Sequence, residues 1–397
     1  MRVGTPGFIP ERLTEARAAR RFSSMAALAR YMGVNPSTVA RWEDGSIAPD
    51  ADALTDLSKT LQVRREFFLR PAYVSKRPMF HRSLSSTLVR DIDYQHSQMR
   101  WLLELSAVLQ HYVDLPKVDI PDVLAGASYK QLRDDDIERI ALDLRHHWKI
   151  GDGPCTDVVA MLERVGFVIG SIEMGTSKLD GLCSWDDEDR PHILLATDKM
   201  SFPRRQMDAA HEMAHAILHR EVTEPELRHD LKEIETQAFR LASAFLLPST
   251  TYPHQIRSYS LAALQAAKEK WRVSIKAQIK RLSDLGMIPD YHATQLYKLY
   301  SAKGWSKEEP LDREWPVSEP RLLRDSLNVI VGSGVRTKGD LLAVEFTMKP
   351  EDVENLASLP PGWFSVLAGE VVHLKRDNNR LDGRAETAGV VVPFVRR

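Results

Sequence analysis

Two histidines four residues apart, with a glutamate directly after the first, constrain this chain more than any other feature. They lie in residues 209–219, where alanine, isoleucine and leucine fill most other positions and neither Gly nor Pro occurs. Such a composition favours a buried helix. Positions i and i+4 share one face of a helix, so His211 and His215 can bind the same metal ion. Glu212 would then face the open position of a zinc hydrolase site.

A catalytic zinc site needs a third protein ligand and leaves its fourth position to water. Residues 231–247 predict a second amphipathic helix, which Pro248 ends. Glu235 falls on the apolar stripe of this helix, and a glutamate that faces a core is costly unless it is paired or bound to metal. We therefore take Glu235 as the third ligand.

Alternatives to this metal site stay open at this point. The two histidines can serve packing alone, and Glu233 is a second, poorer candidate for the third ligand. Glu235 can also form a buried salt bridge with an arginine such as Arg240. Cys183 can in principle bind the metal, but a small buried thiol in a strand is the better interpretation.

Composition sets limits on the class of protein. At 397 residues, 43% hydrophobic and 27% charged, the chain has the length of a few domains and an ordinary globular composition. Its net charge of -1 means that any nucleic-acid site must be local. The two cysteines fit a reducing compartment. Residues 1–10 carry no secretory signal and no apolar run would span a bilayer, so we expect a cytoplasmic protein without a membrane partner.

Residues 1–70 predict a succession of short helices. Ser24 can cap a helix over 25–32, a turn follows at Gly33, and Asn35 with Pro36 begins a helix over 36–43. Asp50 can cap another helix, which runs to about residue 61. Two short helices around a glycine turn are typical of a helix-turn-helix, whose second helix enters the major groove of DNA.

This N-terminal pattern resembles the XRE/Cro–phage-repressor family at the positions Leu28-Ala29, Gly33-Val34, Ser37-Thr38-Val39, Arg41-Trp42-Glu43-Asp44-Gly45 and Pro49. The resemblance implies contacts to double-stranded DNA through Asn35, Ser37, Thr38 and Arg41. It also implies that Glu43 pairs with an arginine of the first helix, for which the best candidate is Arg17. Met25 departs from the family, which often has a glutamine there.

The charge of this segment is modest for a DNA binder, since residues 1–48 hold seven Lys or Arg and four acids. A helix-turn-helix that serves only protein contact or dimerisation is the alternative. By analogy with other helix-turn-helix proteins, which bind symmetric half-sites, we expect a homodimer.

The metal-binding region resembles the ImmA/IrrE family of zinc metallopeptidases at the positions Arg205-Gln206, Ala210-His211-Glu212-Met213-Ala214-His215, Leu218-His219, Glu235, Ala238, Ala242 and Phe245-Leu246-Leu247-Pro248. A helix-turn-helix in front is a common arrangement in that family. The resemblance implies Zn²⁺ held by His211, His215 and Glu235, with Glu212 as the catalytic base. Ala214 and Phe239 depart from it, standing where glycine and asparagine are frequent.

Three local interpretations remain for this region. His219 is a guess for a second oxyanion donor, and it can equally support a ligand or only pack. The strand expected at 192–197 can be a sheet edge, to which an extended substrate would add. Residues 261–286 imitate a second helix-turn-helix, with Lys276, Lys280 and Arg281 as positive charges, but the resemblance assigns them to the peptidase domain.

We therefore expect a multidomain, mainly α protein. The predicted parts are an all-α helix-turn-helix domain (1–70), a helical connector (71–150), an α+β zincin-like domain (151–303) and a small C-terminal α+β segment (304–397). The connector is either a coupling arm or a plain packed bundle. The α+β domain should have helices on one side of a small sheet. The last segment should begin with a linker at 305–320 and contain a hairpin formed by 371–374 and 390–392.

The function that this organisation implies is a DNA-binding regulator with a zinc endopeptidase domain. Its substrate would be a protein partner, such as a repressor or an antitoxin-like protein, cleaved in a stress or induction response. The alternative is a transcriptional regulator or antitoxin in which the metallopeptidase fold is only a sensing or interaction scaffold. The sequence favours intact chemistry, because His211, His215, Glu235 and Glu212 are all present.

Overall fold

The computed structural model describes residues 4–73, 77–81, 89–175, 180–198 and 201–365. Among these residues the helices are α1 (Pro10–Ala19), α2 (Met25–Met32), α3 (Pro36–Glu43), α4 (Ala51–Leu61), α5 (Val89–Gln110), α6 (Asp134–His147), α7 (Val158–Arg164), α8 (Phe202–Leu218), α9 (Glu224–His229), α10 (Leu231–Leu246), α11 (Leu261–Trp271), α12 (Ile275–Asp284), α13 (Asp290–Ala302), α14 (Leu322–Gly332), α15 (Lys338–Asp340) and α16 (Pro350–Leu356). The strands are β1 (Phe80–His81), β2 (Val168–Ile172), β3 (Gly181–Trp185) and β4 (Pro191–Ala196).

This mainly α, multidomain architecture with one small sheet confirms the predicted fold class. The hairpin expected at 371–374 and 390–392 lies outside the described residues. Over the described ranges, no helix combines the length and the apolar character that a membrane crossing requires.

The first four helices form the helix-turn-helix bundle. The side chains of Ser24 and Asn35 cap α2 and α3 by accepting a backbone amide from the first turn of each helix. Gly33 ends α2 with φ +69°, a left-handed backbone that glycine adopts without strain. The expected pair of Arg17 and Glu43 is present, with 2.6 Å between Arg17 Nε and Glu43 Oε1.

Charged hydrogen bonds fix this bundle to α5 and to the C-terminal segment. The buried guanidinium of Arg12 donates to Glu15 and to Glu104 of α5, each at 3.0 Å. Arg20 donates to both carboxylate oxygens of Asp352 in α16, at 2.9 and 2.5 Å. Because charge-assisted and bidentate hydrogen bonds are the stronger kind, the bundle is held in one orientation on the rest of the chain.

The strand order across the sheet is β1-β3-β4-β2. β2 and β4 are parallel, with Val168 opposite His192, while β3 is antiparallel to β4 and to β1. β4 is therefore an inner strand, and the expectation that residues 192–197 form a sheet edge was wrong. Strand order depends on long-range pairing, about which the local pattern of a strand carries no information.

Helices cover both faces of the sheet, and the expectation of helices on one side was also wrong. Cys183 and Ile193 pack in the apolar cluster that contains α8. Leu182 and Leu194 face the opposite way, into the cluster that contains α5, the helix-turn-helix bundle and α14. Burial on both faces explains why β4 is an almost continuous apolar run and not an alternating one.

Helices α11, α12 and α13 pack as the small bundle that imitated a second helix-turn-helix. Arg281, one of its three cations, is fully buried and donates to the carboxylate of Glu138 and to the carbonyl of Leu247. Lys280 forms an ion pair with Asp284 within α12. Arg281 is therefore engaged inside the domain and Lys280 is paired on its surface, which speaks against this bundle as a DNA reader.

The segment at 305–320 is attached to the domain in front of it, although it was expected to be a linker. The buried carboxylate of Glu309 accepts hydrogen bonds from Lys268 Nζ at 2.8 Å and from the backbone amides of Ile275 and Lys276 at the start of α12. Asp312 adds a second carboxylate at 2.6 Å from Lys268 Nζ. These contacts join the segment to α11 and α12 through a buried ion pair.

Candidate metal centre

Helix α8 presents its two histidines on one face, as their spacing predicted. The Nε2 atoms of His211 and His215 lie 3.1 Å apart, and both rings are almost completely buried. Pro203 stands in the first turn, where a missing backbone N–H is harmless, and the run of alanines after it lets the helix pack closely on β3 and β4. The helix thus brings two imidazole nitrogens to one point beneath the sheet.

Helix α10 packs against α8 and adds Glu235 to this point. Its Oε2 lies 3.4 Å from His211 Nε2, and its Oε1 lies 3.3 Å from His215 Nε2. One donor atom from each of the three residues lies within 4.8 Å of the others, which is the size of a site for a metal ion. Within the described chain, neither oxygen of Glu235 makes a hydrogen bond of standard geometry. Two imidazoles and an unsatisfied carboxylate are a donor set that suits a divalent cation.

The alternatives to Glu235 find no support in the geometry. Glu233 is exposed, and the ion pairs of Arg240 join it to Asp134 at 2.7 Å and to Glu138 at 3.9 Å. Burial alone would raise the pKa of Glu235, but the two histidine rings beside the carboxylate outweigh burial and hold that pKa well below its usual range. The carboxylate is therefore ionised, as a metal ligand must be.

Glu212 projects from α8 toward the start of β3, where it meets a glycine. The Glu212 side chain is 2% exposed, and a Cβ placed on Gly181 would stand 2.5 Å from its Oε1 and 2.8 Å from its Cγ. Any larger residue at 181 would thus require the carboxylate to move. Gly181 was not predicted from the sequence, and no local signal points to it, because the two residues meet only through the packing of α8 on the sheet.

Cys183 is the small buried thiol that the sequence favoured. It is fully buried in β3, and burial together with the negative charge of Glu212 raises its pKa well above the usual value of a thiol. The sulfur therefore stays protonated, which makes it a poor metal ligand.

Two phenylalanines flank the histidine pair. Phe80 of β1 is buried and stacks on His215, with 5.0 Å between ring centroids and 21° between ring planes. Phe239 of α10 is partly exposed and packs on His211 at 4.2 Å. The departure from asparagine at position 239 thus places an apolar ring beside the site. Phe80 was not predicted, because a two-residue strand from the connector carries no periodic signal.

His219 is not placed to act as an oxyanion donor. It is fully buried, its Nδ1 lies 3.1 Å from Nδ1 of His215, and its Nε2 lies 3.1 Å from Oε1 of Gln237. Both ring nitrogens are therefore occupied within the protein, and the guess that His219 binds an oxyanion was wrong. Burial, and to a smaller extent the neighbouring His215 ring, lower the pKa of His219 well below its usual value, so the His219 ring is neutral.

The four residues expected to contact DNA lie at the start and along the outer side of α3. Asn35, Ser37 and Arg41 are exposed, and Thr38 is partly exposed. The Oδ1 atom of Asn35 caps the helix by accepting from the backbone amide and the hydroxyl of Ser37, at 3.0 and 2.9 Å. The buried side of α3 carries Val39 and Trp42 instead. The recognition face is thus open to a partner in the folded chain.

Two family models match the chain. The model described as an IrrE N-terminal-like domain, from a peptidase family, matches residues 162–283, and the model described as a helix-turn-helix matches residues 13–68. One segment of the chain is thus similar to a helix-turn-helix domain and a later one to the IrrE N-terminal-like domain, in agreement with the two resemblances seen in the sequence. No curated protein matches the chain.

The assignment of Glu235 as a ligand predicts a sharp contrast between two glutamates of one helix. We expect Glu235→Gln to weaken zinc binding by roughly a hundredfold or more, because it removes the anionic donor. The exposed neighbour supplies a matched control, Glu233→Gln, which keeps an oxygen acceptor for Gln237 Nε2 and should bind zinc like the wild type. Competition with a chromophoric chelator measures both affinities. Equal affinity for Glu235→Gln and the wild type would exclude Glu235 as a ligand.

Proposed function

We propose that this protein is a cytoplasmic DNA-binding regulator whose IrrE/ImmA-like domain is a zinc-dependent endopeptidase. Its substrate would be a protein partner, such as a repressor or an antitoxin-like protein, and it would bind DNA as a homodimer in a stress or induction response. One observation carries the peptidase part: His211, His215 and Glu235 converge within 4.8 Å, with Glu212 on the same helix beside them.

The donor set fits zinc, with His211, His215 and Glu235 as the residues that would hold it. The chemistry that zinc supplies in such a site is a water with a pKa of about 7 and a more strongly polarised scissile carbonyl. Glu212 is the general base: its carboxylate accepts the proton of the attacking water and then passes it to the leaving amine. Its buried position against Gly181 keeps the carboxylate fixed for both transfers.

The sheet lies between the proposed peptidase site and the proposed DNA-binding bundle. Its α8 face carries the metal centre, and its opposite face packs into the apolar cluster that includes α5 and the helix-turn-helix bundle. Arg12 and Arg20 fix α1 to α5 and α16, so described, packed elements join the helix-turn-helix bundle to the back of the sheet. This supports a peptidase that acts on a partner at or near DNA.

The burial of the centre favours a second candidate function, in which the metallopeptidase fold is only a scaffold for sensing or interaction. His215 and Glu212 are 1% and 2% exposed, and β1 occupies the outer side of β3 next to the centre. A substrate must reach these atoms for cleavage to occur. If the site stays closed, the domain would serve sensing or interaction, and proteolysis would be absent.

A comparison of wild type with Glu212→Gln separates the two candidates. This substitution keeps the size of the side chain and leaves all three ligands, so zinc binding should persist while cleavage falls by roughly a hundredfold or more. The measurement is mass spectrometry of new protein N-termini, after host-cell proteins are incubated with each zinc-loaded protein. The absence of any N-terminus specific to the wild type would overturn the peptidase and favour the scaffold.

The contact between Gly181 and Glu212 generates a second prediction on the same substrate. We expect Gly181→Ala to lower the cleavage rate by roughly tenfold or more, because the new methyl group displaces the base from its position. Zinc affinity should be unchanged, since no ligand moves. Gly153→Ala is the control, because a Cβ there would meet no atom within 4 Å. An unchanged rate for Gly181→Ala would show that the position of Glu212 is not limiting.

The DNA-binding part predicts a loss of affinity in Arg41→Ala. A bidentate contact to guanine contributes about 1–3 kcal/mol, so binding to a selected operator should weaken by roughly 5- to 150-fold. Arg228→Ala, which removes an exposed arginine of α9, should bind as the wild type does. Fluorescence anisotropy across a salt series measures both. Absence of salt-dependent duplex binding by the wild type would contradict the DNA-binding hypothesis.

A further inference from the structure

A buried row of hydrogen bonds leads from the connector to one of the metal-site histidines. Gln237 Nε2 donates to the backbone carbonyl of Tyr129 at 2.9 Å. On its other side, Gln237 Oε1 lies 3.1 Å from His219 Nε2, and His219 Nδ1 lies 3.1 Å from His215 Nδ1. All four residues are buried, so water does not compete with these contacts.

The carbonyl of Tyr129 gives the row a single direction. A carbonyl oxygen can only accept, so the amide nitrogen of Gln237 must face it and the amide oxygen must face His219. His219 Nε2 then has to carry the hydrogen. A neutral imidazole with hydrogen on Nε2 presents its Nδ1 as an acceptor. His215 Nδ1 must therefore donate to it, which leaves His215 Nε2, 3.3 Å from Glu235 Oε1, as the nitrogen that faces the metal site.

Neighbouring groups hold every member of the row in place. The ring of Phe80 stacks on both His215 and His219, with centroid distances of 5.0 and 6.0 Å. The hydroxyl of Tyr129 donates to Asp230, the residue in front of α10, at 2.6 Å. The stacked rings resist rotation, and the anchored tyrosine fixes its own carbonyl.

We infer that Gln237 and His219 are positioning residues that fix His215 in the tautomer with hydrogen on Nδ1, so that its Nε2 is ready to bind metal. The row begins at Tyr129, outside the region that matches the IrrE-like family model. The connector thus contributes to metal binding through a backbone oxygen. The position of the hydrogen on His215 is inferred from the hydrogen-bond geometry. Its importance for metal binding rests on the proposed function.

Two substitutions at Gln237 separate hydrogen-bond direction from packing. Gln237→Met keeps the approximate volume but removes the acceptor for His219, and we expect zinc affinity to fall roughly 10- to 100-fold, as for other residues that orient a ligand. Gln237→Glu keeps an oxygen acceptor for His219, and its protonated form can donate to the Tyr129 carbonyl. The Glu variant should therefore retain affinity close to that of the wild type.

The matched control is Gln206→Met in α8. Gln206 is another buried amide, but its partners are the backbone amide of Val158 and the carbonyl of Cys155, away from the two histidines. Its replacement should cost stability, as any buried amide does, and leave zinc affinity unchanged. If Gln206→Met lost as much zinc affinity as Gln237→Met, general destabilisation would explain both losses, and the inference would be overturned.

The tautomer is measured directly on the metal-free full chain by ¹⁵N NMR of labelled histidine, with His215→Gln to assign the signals. We expect the wild type and Gln237→Glu to show a protonated Nδ1 at His215, and Gln237→Met to show a His215 whose Nδ1 is only partly protonated. An unprotonated Nδ1 at His215 in the wild type would overturn the inference, even if Gln237→Met does not fold. If the wild type binds no zinc, the proposed function fails, while the nitrogen signals still decide the tautomer.

Discussion

The placement of an ionised carboxylate between two buried imidazoles is the interaction on which this structure depends. Glu235 comes within 3.4 Å of His211 and His215 only because α10 packs along α8, and a buried charge without a partner would be strongly destabilising. Two histidine nitrogens alone do not fully satisfy its oxygens. The arrangement is therefore one that could hold a cation, and the packing of α8 and α10 keeps the three side chains together.

One face of the sheet packs against the helix that carries the two histidines, and the opposite face packs against α5 and the helix-turn-helix bundle. Gly181 leaves room for Glu212, and Phe80 in the paired strand β1 covers His215. Leu182 of β3 and Leu194 of β4 face the other way and pack in the apolar cluster that contains α5 and the helix-turn-helix bundle. The two domains therefore share one buried layer.

The local features were predicted correctly because they depend on interactions between residues that are close in the chain. The caps at Ser24 and Asn35 and the one-sided histidine pair follow from contacts within about one helical turn. Even the distant pairing of Arg17 with Glu43 was predicted, since it came with a family resemblance. Two of the wrong expectations, an edge position for β4 and helices on one side of the sheet, concerned strand order and layering. These depend on which segments meet after folding, which no local periodicity encodes.

The sequence by itself determined which three side chains meet at the centre. The spacing of His211 and His215 places them on one face of α8, and Glu235 falls on the apolar stripe of α10. Only the tertiary structure decided how those donors are held. Gly181 meets Glu212, and Tyr129 reaches His215 through Gln237 and His219, across separations in the chain that leave no trace in local composition. Packing of the sheet on α8 and of the connector on α10 creates these contacts, and they exist only once both have formed.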